Sequence, residues 1–384
     1  MGEIMLLRIL LSTMAIVALA ASPAMALTYV NGNMNTQQGS GDSLVIDQVN
    51  TTPSNLNVET ANQIGNNNTG AVTQNGAGNL ALLNSYVRGN SLVSDVIGYT
   101  GNQNNNYSIS QTGTNNSAMI AHEGEFSLSL SPTDSGNTAN ITQVGNNLAT
   151  VTAINGSNNT STISVQGSAP TNVGLDPDSL PNPNNIVESF ILGNSNTATI
   201  NVTGANNNDA EIYVVIGNQN IDSVTQTGGG NIAQIFASSN NNGQATITQT
   251  GTGDQAWILQ ETPGGSSGSM ATAQQNSENN STITISQNGS NITNDQATAI
   301  QSGGNNNTAT ILQTADNEYA KILSTNNSGS SASITQNASR SSATITQNPG
   351  SDNNATVLQE GAATNLVASI AQTGSNNTFS IHQH

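Results

Sequence analysis

Residues 331–359 read SASITQNASRSSATITQNPGSDNNATVLQ. Three times in that stretch an alanine is followed two residues later by isoleucine or valine, and two after that by glutamine: Ala332-Ile334-Gln336, Ala343-Ile345-Gln347 and Ala355-Val357-Gln359. Strict alternation makes a strand, because side chains two apart share one face of the pleat. Thr and Ser fill the alternate, outward positions, and β-branched Thr and Ile suit the pleated backbone. A helix is excluded: the period is two rather than 3.6, and Gly and Asn interrupt it every dozen residues. The Gly, Asn and Ser between the copies tolerate left-handed backbone angles and make turns.

Working outward, the same pattern recurs as Ala245-Ile247-Gln249, Ala309-Ile311-Gln313 and Ala368-Ile370-Gln372. Looser copies are Ala139-Ile141-Gln143, Ala256-Ile258-Gln260 and Phe379-Ile381-Gln383. Copies start at 297, 309, 320, 332, 343, 355, 368 and 379, so two half-repeats occupy about 23 residues. A strand pair that short cannot bury its inner face alone, whereas stacked identical rungs can. The predicted fold is all-β: a solenoid of stacked two-strand rungs, cross-β in character. About 13 rungs between residue 59 and the C-terminus would stand roughly 60 Å tall. One apolar column runs Ile311, Ile334, Val357, Ile381, and the facing one Ala299, Ile322, Ile345, Ile370, with Ile247 and Ile258 in earlier copies. The glutamine columns are Gln313, Gln336, Gln359, Gln383 and Gln301, Ser324, Gln347, Gln372. A buried amide without partners costs a few kcal/mol, and bonding each amide to the next along the axis removes that cost.

The composition agrees. The 384 residues include 62 Asn and 27 Gln, only 3% are aromatic and none is cysteine. An ordinary globular enzyme core, a disulfide framework and thiolate metal sites are thereby excluded. The net charge of −18 argues against nucleic acid and anionic lipid as partners. Ser, His and Asp occur without grouping into a triad, and no cofactor is expected. Residues 4–20 are largely apolar with Arg8 as their only basic residue, and Ala24-Met25-Ala26 puts small residues at a cleavage site, so 1–26 read as a secretory signal peptide cleaved after Ala26. A transmembrane anchor is disfavoured because the apolar run is short, and stable membrane insertion is not expected. The organisation that follows is 27–58 irregular, 59–166 repeats, 167–185 a Pro-rich insertion, 186–260 repeats, 261–280 a Gly/Ser/Gln-rich insertion and 281–384 repeats.

Other features carry less. Asp209, Asp222, Asp254, Asp316, Glu318, Asp352 and Glu360 recur at about one per rung. No Gly-Gly-x-Gly-x-Asp calcium repeat accompanies them, so they read as gatekeepers whose mutual repulsion delays assembly. His382 and His384 are read as a solvated end rather than a metal site. Trp257, Tyr213 and Tyr319 are read as outward or turn packing.

The half-repeat resembles the curlin repeat of curli fibre subunits, the secreted functional amyloids of bacterial biofilms. Gln74-Gly76-Asn79-Ala81, Gln111-Gly113-Asn116-Ala118 and Gln226-Gly228-Asn231-Ala233 match the first four fixed positions of that family's Gln-x-Gly-x-x-Asn-x-Ala-x-x-x-Gln motif. Gln249-Gly251-Asp254-Ala256-Gln260 matches with Asp for Asn, and Gln372-Gly374-Asn377-Phe379-Gln383 with Phe for Ala. The resemblance adds Asn79, Asn116, Asn231 and Asn377 to the amide-ladder positions, beside Gln74, Gln111, Gln143 and Gln226. It implies a stacked solenoid exported through an outer-membrane pore with assembly factors. It also implies nucleated growth at the cell surface with itself and other curlin-type subunits, and roles in biofilm matrix, adhesion and surface colonisation. The chain departs from the family in its length, in the Pro-rich excursions and in half-repeats lacking the Gln, as at His122, Val214 and Ser324.

The function expected is therefore that of a secreted structural subunit of a curli-type fibre, or fimbrium. A minor nucleating subunit or a fibre-forming adhesin of the same type is the alternative within the class. From another class, a monomeric solenoid could bind ice or another surface through its outward Thr and Ser. Its columns Thr298, Lys321, Thr344, Ser369 and Leu312, Thr335, Leu358, His382 are interrupted. A polysaccharide-cleaving solenoid enzyme would need clustered carboxylates and basic residues, and the whole chain has only 4 Lys and Arg.

Overall fold

The computed structural model describes residues 34–40, 43–50, 58–66, 69–77, 80–84, 106–114, 117–122, 136–146, 149–168, 186–206, 208–288, 294–362 and 364–384. The leader with Ala24 and Ala26, residues 169–185 of the Pro-rich stretch, and Asn79 and Asn116 lie outside these. The described residues form strands and turns, with no helix long and apolar enough to cross a membrane. The protein is a β-solenoid, divided into two compact units.

The larger unit holds Asn159–Pro170 and Asn182–His384. Its chain coils, laying one strand on a back wall and the next on a front wall. Back-wall strands are Thr160–Ser168, Thr197–Asn206, Ile221–Gly229, Gln244–Thr252, Met270–Asn279, Gln296–Asn305, Tyr319–Thr325, Ser342–Gln347 and Val367–Gln372. Front-wall strands are Ile186–Asn194, Asp209–Asn218, Ile232–Asn241, Gln255–Ser267, Thr282–Asn288, Thr308–Gln313, Ser331–Gln336, Asn354–Gln359 and Thr378–Gln383. Successive strands of one wall pair in parallel. Parallel pairing requires a crossover connection, and here the strand on the opposite wall supplies it. Two short strands, Asn327–Ser328 and Gly350–Ser351, add a further pairing at a turn.

Register follows the columns expected from the sequence. Ile311 faces Ile334, which faces Val357, which faces Ile381. On the other wall Ala299, Ile322, Ile345 and Ile370 align in turn. The strands Thr308–Gln313, Ser331–Gln336 and Asn354–Gln359 alternate buried and more exposed positions along their whole length. Ile247, Ile258, Ile311, Ile322, Ile334, Ile345, Val357 and Ile370 are buried. At roughly 1.5–3 kcal/mol for each fully buried aliphatic side chain, these columns are the main cohesive force.

The smaller unit spans Met1–Asn158 with Thr171–Pro181. Met34–Ser40, Val58–Asn66, Leu80–Asn84, Ser117–His122 and Ala149–Asn155 pair successively on one wall. Ser43–Asn50, Thr69–Ala77, Asn106–Thr114 and Thr138–Asn146 do so on the other.

Two stretches differ from expectation. Residues 27–58, expected to be irregular, contain the strands Met34–Ser40 and Ser43–Asn50. Leu44-Ile46-Gln48 is the repeat with Leu in the Ala place, and Leu44 and Gln48 are buried. Residues 261–280, expected as an insertion, contain Met270–Asn279, which pairs within the back wall on both sides. The added chain is taken up by register shifts, one between Ser238 and Asn240, opposite Glu261 and Ser266, and one between Thr250 and Gly251. Bulges absorb additional residues in this way without ending a ladder.

Candidate functional site

The strands deliver glutamine to the same inward place on successive rungs. On the front wall Gln260 Nε2 donates to Gln287 Oε1 (2.9 Å), Gln287 to Gln313 (2.9 Å), Gln313 to Gln336 (3.0 Å), Gln336 to Gln359 (2.9 Å) and Gln359 to Gln383 (2.8 Å). On the back wall the run is Gln226, Gln249, Gln275, Gln301 at 2.9–3.2 Å. Ser324 interrupts it, and Gln347 to Gln372 resumes it at 3.0 Å. Gln74, Gln111 and Gln143 form a third ladder at 2.8 Å per step.

A primary amide carries two N–H donors, and the second also has a use. Gln313, Gln336, Gln359 and Gln383 donate to the carbonyls of Gln296, Tyr319, Ser342 and Val367 at 3.0–3.1 Å. Those carbonyls belong to the opposite wall. Each glutamine therefore joins its rung to the next and ties the two walls together. Where the ladder starts, on the back wall, the preceding rung presents Val202 rather than an amide, and Gln226 Oε1 accepts no hydrogen bond.

Asparagine forms a second ladder just before each strand. Asn231 Oδ1 accepts the Asp254 backbone N–H (3.0 Å), and its Nδ2 donates to the Gly251 carbonyl (3.2 Å). Asn377 donates its backbone N–H to Asn353 Oδ1 (3.0 Å), and Asn353 Nδ2 donates to the Gly374 carbonyl (2.7 Å). The glycine of the motif permits this approach. Gly228 has φ +114°, and a Cβ there would lie 1.9 Å from the Gly251 carbonyl oxygen. The Gln-x-Gly-x-x-Asn spacing thus has a geometric origin: a ladder amide, a backbone thin enough to stack, and a turn amide that seals the next rung.

Several acids that the sequence reads as gatekeepers, Asp222, Asp254 and Glu318 among them, are buried. Asp254 stands in the Asn column: its Oδ1 still accepts the Ser281 N–H (3.1 Å), but Oδ2, placed where Asn has an N–H donor, has no partner. Burial pushes its pKa up to about 6, partly offset by the Ser281 bond. Asp295 Oδ1 accepts the Glu318 N–H (2.8 Å) and Oδ2 is likewise unpartnered; burial raises it to about 7. Burial raises Glu318 to about 9, Asp209 to about 7 and Asp222 to about 8. The Asp-for-Asn exchange at Asp254 was the one visible signal of this in the sequence.

The aromatic residues play local parts. Tyr213 Oη donates to Glu188 Oε2 (3.0 Å) and its ring lies 6.2 Å from Phe190. At the last rung Phe379, in the place of the buried alanines, is 54% exposed. The outer edge of Thr378–Gln383 has no strand partner among the described residues.

The fold and ladders define a class: a parallel β-solenoid whose rungs are joined by stacked amides. Residues 350–384 match the family model described as the curlin associated repeat. That match covers the C-terminal end of the chain and shows its similarity to one such repeat. No curated protein matches it.

Proposed function

We propose that the chain is a secreted structural subunit of a curli-type amyloid fibre, and that its function is the assembly itself. The observation that carries this is the pair of amide ladders running in register to Gln372 and Gln383. The groups that join rung to rung within the chain are those presented at the outer edge of Thr378–Gln383, which pairs with no other strand among the described residues. A second copy adding there would extend the Ile381 column, bury Phe379 and pair the open backbone groups. Other curlin-type subunits have the same chemistry to offer. Export through an outer-membrane pore with assembly factors, an extracellular location, and roles in biofilm matrix, adhesion and surface colonisation come with the family. The same geometry serves a principal subunit and a nucleator.

An ice- or surface-binding solenoid is less well supported. Lys321 stands in register between Thr298 and Thr344, breaking the regular outward lattice such a face requires. Seeded growth tests the proposal. Purified chain should aggregate with a lag that preformed fibres shorten, and the product should give a cross-β reflection near about 4.8 Å. Chain that stays monomeric for weeks at high concentration, with seeds present, overturns it.

A further inference from the structure

Stacking at the last rung brings together three side chains that are far apart in sequence. Glu360 follows the strand Asn354–Gln359, and its backbone N–H donates to the Gln383 carbonyl (2.9 Å). His382 is in register with the outward Leu358. His384, two residues on, continues along the same face. Gly361, at φ +96°, lies close against His384: a Cβ there would be 3.6–3.8 Å from its atoms. His382 Nε2 is 2.8 Å and His384 Nδ1 is 3.9 Å from the same Glu360 oxygen. The two rings stand edge to face with centroids 4.1 Å apart. One ligating atom from each of the three residues fits within 4.8 Å of the others.

We propose that Glu360, His382 and His384 form a binding site for a divalent transition ion of the zinc class, on the outward face of the last rung. Two imidazoles and one carboxylate suit zinc, nickel or copper, whereas calcium and magnesium prefer all-oxygen sets. Bonds of about 2.0–2.2 Å to a tetrahedral ion put ligand atoms roughly 3.3 Å apart. The present 2.8 and 3.9 Å separations straddle that value. The two histidine side chains are 45% and 71% exposed, so rotation about side-chain bonds closes the difference without moving the backbone. Water fills the fourth position. Without an ion, the same residues form a hydrogen-bonded His–Glu pair, which is the competing arrangement. The sequence alone placed the histidines at a solvated end; the carboxylate that completes the set comes from the preceding rung.

The test is calorimetric titration of freshly purified, soluble full chain with Zn²⁺ at pH 7.5, with Ca²⁺ in parallel. The chain has only 3 histidines, so removing two leaves His122 as the sole remaining imidazole. The expected result is one Zn²⁺ per chain, retained in excess Ca²⁺. The His382→Asn/His384→Asn double variant should lose at least about tenfold in affinity, and Glu360→Gln should lose less. Both change exposed side chains, and circular dichroism should show the strand signal retained. Absence of zinc binding, equal binding by the double variant, or equal displacement by Ca²⁺ each overturns the site and leaves a hydrogen-bonded pair only. None of these outcomes bears on fibre growth, which is measured separately.

Discussion

Asp222 stands in a column where the neighbouring rungs hold Ala198 and Ala245. It is buried, and its carboxylate makes no well-formed hydrogen bond. The Ala245 N–H only partly offsets the cost of removing the charge from water, and the pKa rises from 3.8 to about 8. Asp222→Ala restores the column and removes that cost. Its expected effect is a gain of roughly 2 kcal/mol or more at pH 9, where the buried charge must be formed. The gain should be smaller at pH 3, where the acid is neutral. Denaturant midpoints of the two proteins at both pH values measure it, and equal gains at both would refute charge burial as the cause.

A single rung is held by contacts in three directions: aliphatic columns, backbone ladders and glutamine amides. Gln336 shows how they meet. It accepts from Gln313, donates to Gln359 and donates across to the Tyr319 carbonyl. Gln336→Ala leaves a donor and two acceptors unsatisfied in a dry interior. The expected loss is roughly 2–4 kcal/mol, read as a lower urea midpoint. The outward neighbour Thr335→Ala should change stability by less than about 0.5 kcal/mol. Matching losses for the two would show that the ladder contributes nothing beyond strand propensity.

Over the larger unit, the buried acids concentrate between Glu188 and Glu318, and the final rungs contain none at comparable depth. In folded chain Asp254, Asp295, Asp209, Asp222 and Glu318 titrate at about 6, 7, 7, 8 and 9, raised by burial. Unfolded, they release their protons near pH 4. Between those limits the folded form holds protons that the unfolded form has lost, so stability falls as pH rises. The denaturant midpoint should therefore be higher at pH 4.5 than at pH 8.5. In the combined variant Asp222→Asn/Asp254→Asn/Asp295→Asn/Glu318→Gln the difference should shrink. A midpoint that rises with pH would contradict this. For a chain of net charge −18, acidification also weakens repulsion between copies.

The alternation of Ala, Ile and Gln is local, and so is its spacing of about two dozen residues; together they settle strand, inward face and partner. Ile311, Ile334 and Val357 could be aligned from the sequence because a period-two strand and a constant step leave one register that buries that aliphatic column. The copy at Leu44-Ile46-Gln48 escapes because Leu replaces Ala, although Leu44 and Gln48 are buried like their counterparts. The environment of a polar residue was not legible, because it depends on what the neighbouring rung places beside it. Asp254, read as a gatekeeping charge, is buried between Asn231 and Ser281, and Glu360 meets His382 only because one rung lies on the next. A sequence specifies which face a side chain takes; the stacked structure decides whether water, an amide or a carbonyl waits there, and that decides charge state and binding.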